Sequence, residues 1–589
     1  MSNNSKIRIR INGKAFSCEK GDTIMKVAHA NKIRIPGLCG HPDFKAKANC
    51  RLCVVEVKGK RKLLTACSTA VEDGMEVVTD NERIKKTRDT NLELIFAEHI
   101  EKCGDCIWRY ECKLLGFARE FELKLTKFSD RKGGRQTYRF ANAVEIDGTQ
   151  CIDCRNCVDA CSLLQKLDYL EIKGKGADQE IVPSSDPKKH CILCGQCTVH
   201  CPVSSAQEQA HWLEIEKMLK NPDLIAVAQI APSVRVSIGE DFGLPPGSEI
   251  SGEIIAGLRA LGFKYVFDVN FGADITTIVE AQELLERLSA KAGTGKADNQ
   301  RSVSENSKLP MFTSCCPGWV NYVEFYRPGL IPNLTTSRSP HIHNGGLAKT
   351  FWAKKMNIDP KKIVMVSLMP CTAKKYEASR EEMKIDGNLP VDIVITAREF
   401  SFMIKKNNID LLKLKKSAPD SPLGEFTGGA AIFGGSGGVM ESALRTAHVM
   451  ACGDRKGGVC RAKIDFKDVR GMDGIKEAEV EVAGNKLRVA VVNGIGNIRP
   501  ILDNLDNYDY IEVMACPGGC IGGGGQPIPT TPEIKKKRIE ALYRLDKGLK
   551  IRKSYDNKSA QAALDWLKDQ GHELEHDVLH TKYAKKTKY

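Results

Sequence analysis

Apolar and charged residues alternate at the start of the chain, with Ile7, Ile9 and Ile11 set between lysine and arginine, and a second strand-like stretch, Met75-Glu-Val-Val78, closes the segment. A period of two points one face inward, so 1–80 is expected to fold as a small β-rich domain. A helix is expected from about Ile84. From about Pro222 the pattern changes to short apolar runs, Ile225-Ala-Val-Ala-Gln-Ile230, Ile363-Val-Met-Val-Ser-Leu368 and Val489-Ala-Val-Val492, separated by amphipathic helical stretches. That alternation predicts an α/β domain with largely parallel sheets, whose functional loops leave the strand ends. The stretch from Thr276 to Arg287 reads as a helix with Glu280 and Glu283 at i and i+3, able to share one face. The glycine-rich, charge-free run from Phe426 to Met440 is expected to be a packed loop and strand.

At 589 residues the chain is too long for one core, and four or five domains are expected. Its 23 cysteines come in tight CxxC runs, with no secretory leader and no apolar stretch long enough to cross a bilayer, so a soluble cytoplasmic protein is expected. A formal charge of +14 biases the surface toward acidic partners, although thiolate-bound clusters add negative charge outside that count. An acidic electron carrier fits better than nucleic acid, because the lysines are scattered and no aromatic-interleaved basic motif appears.

The cysteines supply the chemistry. Cys39, Cys50, Cys53 and Cys67 follow C-x10-C-x2-C-x13-C and can complete a [2Fe-2S] centre, with zinc as the alternative. His99, Cys103, Cys106 and Cys112 offer one imidazole and three thiolates, enough for a [4Fe-4S] cluster; a solvated helix histidine or a zinc site is the alternative. A repeated C-x2-C-x2-C-x3-C run follows, Cys151, Cys154, Cys157, Cys161 and then Cys191, Cys194, Cys197, Cys201 with Pro202 after it. In two-cluster ferredoxins the fourth cysteine of each run ligates the other cluster, so two [4Fe-4S] centres are expected here. Three distant segments then set cysteine beside proline or glycine: Thr313-Ser-Cys-Cys-Pro-Gly-Trp319, Met369-Pro-Cys-Thr-Ala-Lys-Lys-Tyr-Glu377 and Glu512-Val-Met-Ala-Cys-Pro-Gly-Gly-Cys520. A thiolate site gathered from such remote segments is closed by the folding of a whole domain.

These three segments resemble the signature motifs of [FeFe] hydrogenases in content, order and spacing, and the resemblance extends over nearly the whole chain. It implies a multidomain α+β and α/β protein: a β-grasp [2Fe-2S] ferredoxin-like domain at 1–80, a His/Cys3 [4Fe-4S] domain at 81–125, and a bacterial ferredoxin-like domain with two [4Fe-4S] clusters at 140–210. A two-lobed H-cluster domain at 222–528 and a small-subunit-like accessory region at 529–589 would follow. The implied activity is reversible oxidation of H2 at an H-cluster, a [4Fe-4S] cubane linked to a two-iron unit with CO, cyanide and a bridging dithiolate. Cys316, Cys371, Cys516 and Cys520 would hold the cubane, Cys520 also bridging to the two irons. Cys315 would exchange protons with the dithiolate amine, and Glu280, Glu283, Thr335 and Arg287 would continue the proton path, with Thr335 where the family often has serine. Lys374 and Ser233 would face iron-bound cyanide, and Pro232, Met369, Met514, Phe433 and Ser436 would contact the two-iron unit. Ferredoxin, or flavin- and NAD(P)-binding partner subunits, would exchange electrons, and maturation proteins would load the site. Where many relatives have glutamines this chain reads Ser339-Pro-His-Ile-His343, and the resemblance would put His341 and His343 near the two irons.

Three other readings compete. A complex I type electron-transfer subunit would share the first third of the chain. A hydrogen sensor would need an appended regulatory domain, and none is visible. His572-Glu-Leu-Glu-His576 fits the HExxH zinc-peptidase pattern, a short match that arises easily by chance. Cys18, Cys452 and Cys460 are left over from the scheme and are expected to be buried thiols.

Overall fold

A computed structural model describes residues 6–291, 308–452, 466–482 and 485–589. The opening alternation forms β1 (Lys6–Ile11) and β2 (Lys14–Glu19), an antiparallel hairpin. Asn12 and Gly13 turn it with φ of 48° and 78°, the pair of positive values that a type I′ turn demands. With β3 (Val54–Val57), β4 (Leu64–Thr65) and β5 (Glu76–Val78) they make a mixed sheet in the order β2-β1-β5-β3-β4, in which β1 runs parallel to β5. Ile9, Ile11, Val55 and Val77 bury one face of it. The expected second helix is Glu82–Ala97, capped by the Asn81 side chain, which accepts a hydrogen bond from the Ile84 amide.

The repeated cysteine run is a structural repeat. Its loops place Asp153 and Arg155, then Leu193 and Gly195, at positive φ in matching positions, ahead of short helices Asn156–Asp159 and Gln196–Val199. Strands β6 (Thr137–Phe140), β7 (Val144–Asp147) and the hairpin β8 (Leu170–Lys173) with β9 (Glu180–Pro183) flank them, and β10 (Ala206–Glu208) returns to pair with β7.

Beyond residue 222 two sheets form. One is fully parallel, in the order β12 (Tyr265–Asp268), β11 (Ile225–Ile230), β14 (Ile363–Met369), β15 (Ile393–Thr396). The other runs β13 (Met311–Phe312), β18 (Tyr510–Met514), β17 (Asn485–Asn493), β16 (Ile475–Val482), antiparallel only at its β16 edge. The expected helix around Glu280 is longer than its motif, Val269–Lys291, and is largely buried. The charge-free run holds no strand. It forms helix Gly428–Ala431, a 3-10 turn Ile432–Gly434 and the start of helix Gly438–Cys452. Its glycines let backbone press on backbone, since a Cβ on Gly438 would lie 1.9 Å from the Ile432 carbonyl oxygen. After residue 531, helices Pro532–Gly548, Lys558–Gln570 and His572–Leu579 wrap the two-sheet unit. Arg445, buried on helix Gly438–Cys452, ties the first of them down through both carboxylate oxygens of Asp546, each at 2.9 Å. Among the described residues no helix is long and apolar enough to cross a membrane. Cys18 is a buried free thiol; Cys452 is disulfide-bonded rather than a free thiol, and Cys460 lies outside the described residues.

Candidate functional site

Three loops leave the carboxyl ends of parallel strands and converge. Cys315 and Cys316 follow β13, Cys371 follows β14, and Cys516 and Cys520 follow β18. Cys316, Cys371, Cys516 and Cys520 are free thiols. Burial raises the pKa of Cys516 and Cys520, and in both the next cause is the charge of Cys371, with Cys316 also contributing, so the four sulfurs lie within electrostatic reach of one another; Cys194 of the second accessory run acts on Cys516 as well. Four desolvated thiolates are tolerable only around a shared cation, and the donor set fits an iron-sulfur cubane.

Beside these sulfurs lies a largely apolar cavity walled by Pro232, Ser233, Cys315, Met369, Lys374, Phe433 and Met514, and Cys520 reaches it too. A sulfur shared between the thiol cluster and the cavity suits a bridging ligand. The Ser233 hydroxyl is buried with no hydrogen-bond partner, a donor waiting for an acceptor among apolar walls. Its loop is fixed by Arg235, which donates to both oxygens of buried Asp268 at 2.8 and 3.0 Å and to the Pro232 carbonyl at 3.2 Å. The residues present therefore fit a cubane joined to a compact ligand-bearing metal unit. Ser436 stands apart from the other expected contacts: it lies behind the Cys516–Cys520 loop, its amide donating to the Gly518 carbonyl at 3.2 Å, rather than on the cavity wall.

Lys374 Nζ donates to the Cys315 carbonyl at 3.1 Å and to Glu377 Oε2 at 2.6 Å. His341, also on the cavity wall, meets the same carboxylate oxygen through Nε2 at 2.6 Å. Burial alone would raise the Glu377 pKa, but Lys374 and His341 outweigh it and hold the carboxyl down at about 2. Burial, then the Lys374 charge, lower His341 to about 4. Lys374 is thus an ammonium, Glu377 a carboxylate and His341 a neutral donor, with Ser367 Oγ 3.2 Å from its Nδ1. His343 is turned away from this group, with Thr276 Oγ1 2.8 Å from Nδ1 and the Leu579 carbonyl 3.0 Å from Nε2.

On the other side of Cys315 the helix Val269–Lys291 presents its two carboxylates. Burial drives the Cys315 thiol far up, and the next cause is Glu280. Glu280 accepts from the Tyr510 hydroxyl at 2.8 Å, while its Oε2 is buried without a partner. Burial, opposed by that hydrogen bond and reinforced by Glu283, raises Glu280 to about 8. Glu283 is held by Thr335 Oγ1 at 2.7 Å, by the Thr336 hydroxyl and amide at 3.0 Å, and by Arg287. Thr335 therefore bonds Glu283, and the hydroxyl that meets Glu280 is that of Tyr510.

The remaining cysteines form a trail. Cys50 donates its amide to Cys39 Sγ at 3.4 Å, and Cys53 Sγ lies 3.3 Å from Cys67 Sγ. His99 is buried with Nδ1 2.9 Å from the Gln150 carbonyl, which leaves Nε2 for a cavity of about 400 Å³ that Cys103, Cys106 and Cys112 also line. Burial raises Cys157, and after it come the charges of Cys151, Cys154 and Cys201; for Cys197 they are Cys194, Cys191 and Cys161. The fourth cysteine of each run thus sits with the other run's first three. Asn156 Nδ2 donates to the Cys39 carbonyl at 3.3 Å, joining the first run to the amino-terminal domain. The second run is seated on the cubane loops, where Thr372 Oγ1 donates to Leu193 O at 2.7 Å and Gln196 Nε2 to Gly522 O at 3.0 Å, and Gln165, just after the first run, donates through Nε2 to Ala515 O at 3.0 Å.

The sequence reading missed Glu377, Tyr510 and Thr336. Lys374 and Glu377 stand at i and i+3 within one quoted motif, so their pairing was available from helical spacing. Tyr510 and Thr336 carry no such signal, because only the fold brings them to the carboxylates. The HExxH pair lies on helix His572–Leu579 with ring centroids 6.1 Å apart. Among the described residues the group close enough to hold one metal ion is elsewhere, at His41, Asp43 and His200.

Family models match most of the chain: the iron only hydrogenase large subunit, C-terminal domain, over 225–524, a 2Fe-2S iron-sulfur cluster binding domain over 4–82 and the iron hydrogenase small subunit over 532–586. The NADP-reducing hydrogenase subunit HndD of Solidesulfovibrio fructosivorans is 40% identical, covering 99% of this chain and 99% of that protein. Iron hydrogenase 1 of Clostridium pasteurianum is 38% identical over 98% of this chain and 100% of its own length. Among solved structures, the apo [FeFe]-hydrogenase HydA1 from Chlamydomonas reinhardtii superposes with a TM-score of 0.54 at 36% identity, covering 64% of this chain and 99% of that one.

Proposed function

The chain belongs to the iron-only, or [FeFe], hydrogenases, and from that premise we propose which of its residues carry the reaction. The enzyme interconverts H2 with two protons and two electrons. When bound, the H-cluster supplies an iron site at which H2 is formed or split heterolytically. Cys316, Cys371, Cys516 and Cys520 would hold its cubane, and the position of Cys520 on the cavity wall supports a bridging role. Ser233 and Lys374 offer hydrogen-bond donors to anionic ligands in that cavity, and Pro232, Met369, Met514 and Phe433 exclude water from it. Ser436 would support the cysteine loop from behind.

Cys315 would hold and release a proton at its thiol on the cavity wall, and Glu280, Glu283, Thr335 and Arg287 would carry it onward. A carboxyl raised to about 8 is neutral at neutral pH and able to give as well as take a proton. One [2Fe-2S] and three accessory [4Fe-4S] clusters would relay electrons to the cubane, held by Cys39, Cys50, Cys53 and Cys67; by His99, Cys103, Cys106 and Cys112; and by the two exchanged runs. The domains divide at 1–80, 81–125, 140–210, 222–528 and 529–589. The name of the NADP-reducing relative, itself a subunit, supports an NAD(P)-linked partner; flavin- and NAD(P)-binding partner subunits are the proposed electron partners, with ferredoxin as the other carrier of suitable chemistry. The proposed location is the cytoplasm.

One observation carries this reading: Cys315, Lys374, Ser233 and Cys520, from loops of both sheets, share a single cavity. A complex I type subunit would leave that cavity without a purpose. Protein matured without air is expected to show infrared bands of CO and cyanide and to evolve H2 from a strong reductant. Fully assembled material with neither property would overturn the proposal. Co-purification of a flavoprotein would identify the NAD(P)-linked arrangement.

A further inference from the structure

Glu283 has a connection that the expected path through Arg287 does not use. Thr336 Oγ1 is 3.0 Å from Glu283 Oε2 and 2.8 Å from Nδ1 of His580. A hydroxyl has one proton to give, so when Thr336 donates to the carboxylate, His580 donates to Thr336 through Nδ1–H and keeps Nε2 for the groove it helps to line. This contact is built into the backbone. Ser337 and His580 form an antiparallel bridge, the Thr581 amide donates to the Thr336 carbonyl at 2.8 Å, and Arg338 Nε donates to the His580 carbonyl at 2.7 Å.

Outward from His580, the extended residue that ends the helix His572–Leu579, His576 and His572 follow on that helix one turn apart, with ring centroids 5.5 and 6.1 Å apart along the series. Exposure grows along the series, from half-buried His580 and His576 to exposed His572. All three line a groove of about 350 Å³ beside Gln282 and Glu286 of the proton-path helix. That volume has room for several waters at roughly 30 Å³ each.

We propose that Thr336, His580, His576 and His572 form a proton passage between Glu283 and solvent, through the groove under the carboxy-terminal helix. This rests on the reading of Glu280 and Glu283 as the inner proton path. For inward transfer, groove water gives a proton to His580 Nε2, the Nδ1 proton passes to Thr336, and the Thr336 hydroxyl proton passes to Glu283. One proton enters as one leaves, and the reverse order carries protons out. Burial, with Arg338, His576 and His572 adding to it and Glu283 opposing, holds His580 at about 4, so the imidazole is neutral between transfers.

Two measurements test the passage. In protein lacking the two-iron unit and labelled with 13C at histidine Cε1, Glu283→Gln is expected to lower the titration midpoint of His580; an unchanged midpoint would break the chain of contacts and overturn the proposal. In matured enzyme, His580→Gln is expected to slow turnover about tenfold and to recover with added imidazole. A rate within about twofold of the native enzyme, or a loss that imidazole does not restore in protein with full cluster content, would also overturn it. Glu280→Ala separates the levels. If it too is fast, the inner path falls; if it is slow while His580→Gln is fast, only this exit falls.

Discussion

The thiols of the amino-terminal region and those of the catalytic cavity are held in different ways. Each accessory run is a short loop that groups its first three cysteines with the fourth of the other run, and its left-handed residues recur at matching positions in both copies. The cavity has no local solution. Its sulfurs come from β13, β14 and β18, strands of two separate sheets, and its charges are settled by Glu377, His341 and Arg235 beneath the surface. The difference teaches that electron transfer needs only metal held at a spacing, whereas proton chemistry needs a dry, pre-arranged set of donors around the metal.

The largest expected effect separates the two functions outright. Cys315→Ala is expected to lower turnover about 10³-fold or more while leaving the iron content and the spectra of the accessory clusters unchanged. Equal loss of cluster signals would mean that Cys315 is structural. Lys374→Met comes next. It leaves buried Glu377 with only a neutral imidazole, and a loss of about 3 kcal/mol is expected in denaturant unfolding of the protein without its two-iron unit. A variant as stable as the native chain would show that the carboxyl is not ionised there.

Glu280→Gln tests the desolvation of a carboxyl beside Cys315. The folded pKa of about 8 lies above the ordinary 4.5, so the native residue contributes its full stabilising effect below about 4.5 and loses it as pH rises through 8. The glutamine variant should therefore gain on the native chain as pH rises between those limits, by on the order of 5 kcal/mol once the gain is complete at pH 9. Thermal midpoints at pH 5 and 9 check the sign. The smallest effects compare the two cysteine runs directly. Gly195→Ala would push a Cβ to 2.5 Å from Thr372 Oγ1 and 2.7 Å from Gly524 Cα, and a loss of about 1–2 kcal/mol with slower electron arrival at the cavity is expected. Arg155→Ala, at the matching position of the first run, is expected to stay within about 1 kcal/mol.

The same contrast decides what the sequence reveals. The grouping of loop-borne thiols such as Cys151 to Cys161, the proposed ligands, is legible because their spacing repeats, and the strands that feed Cys371 and Cys516 are legible because buried strands read as apolar runs. The run from Phe426 to Met440 was misread as containing a strand, because glycines that permit close helix packing give no helical period. Tyr510 at Glu280 and Thr336 at Glu283 could not be read at all, since each depends on the register between distant elements. Thr335 was expected between the two carboxylates, whereas its hydroxyl donates to Glu283 and accepts from the Ser337 amide, with no contact to Glu280 among those observed.

The near-contact of Gly195 with Gly524 has a consequence for how this enzyme can be rebuilt. Composition draws a border between the ferredoxin-like part and the hydrogen-converting part, yet at that point no side chain stands between the two main chains. The relay is therefore not a cassette to be unplugged and exchanged for one from another redox protein. Any transplant must bring its own bare patch of backbone, cut to the shape of this socket.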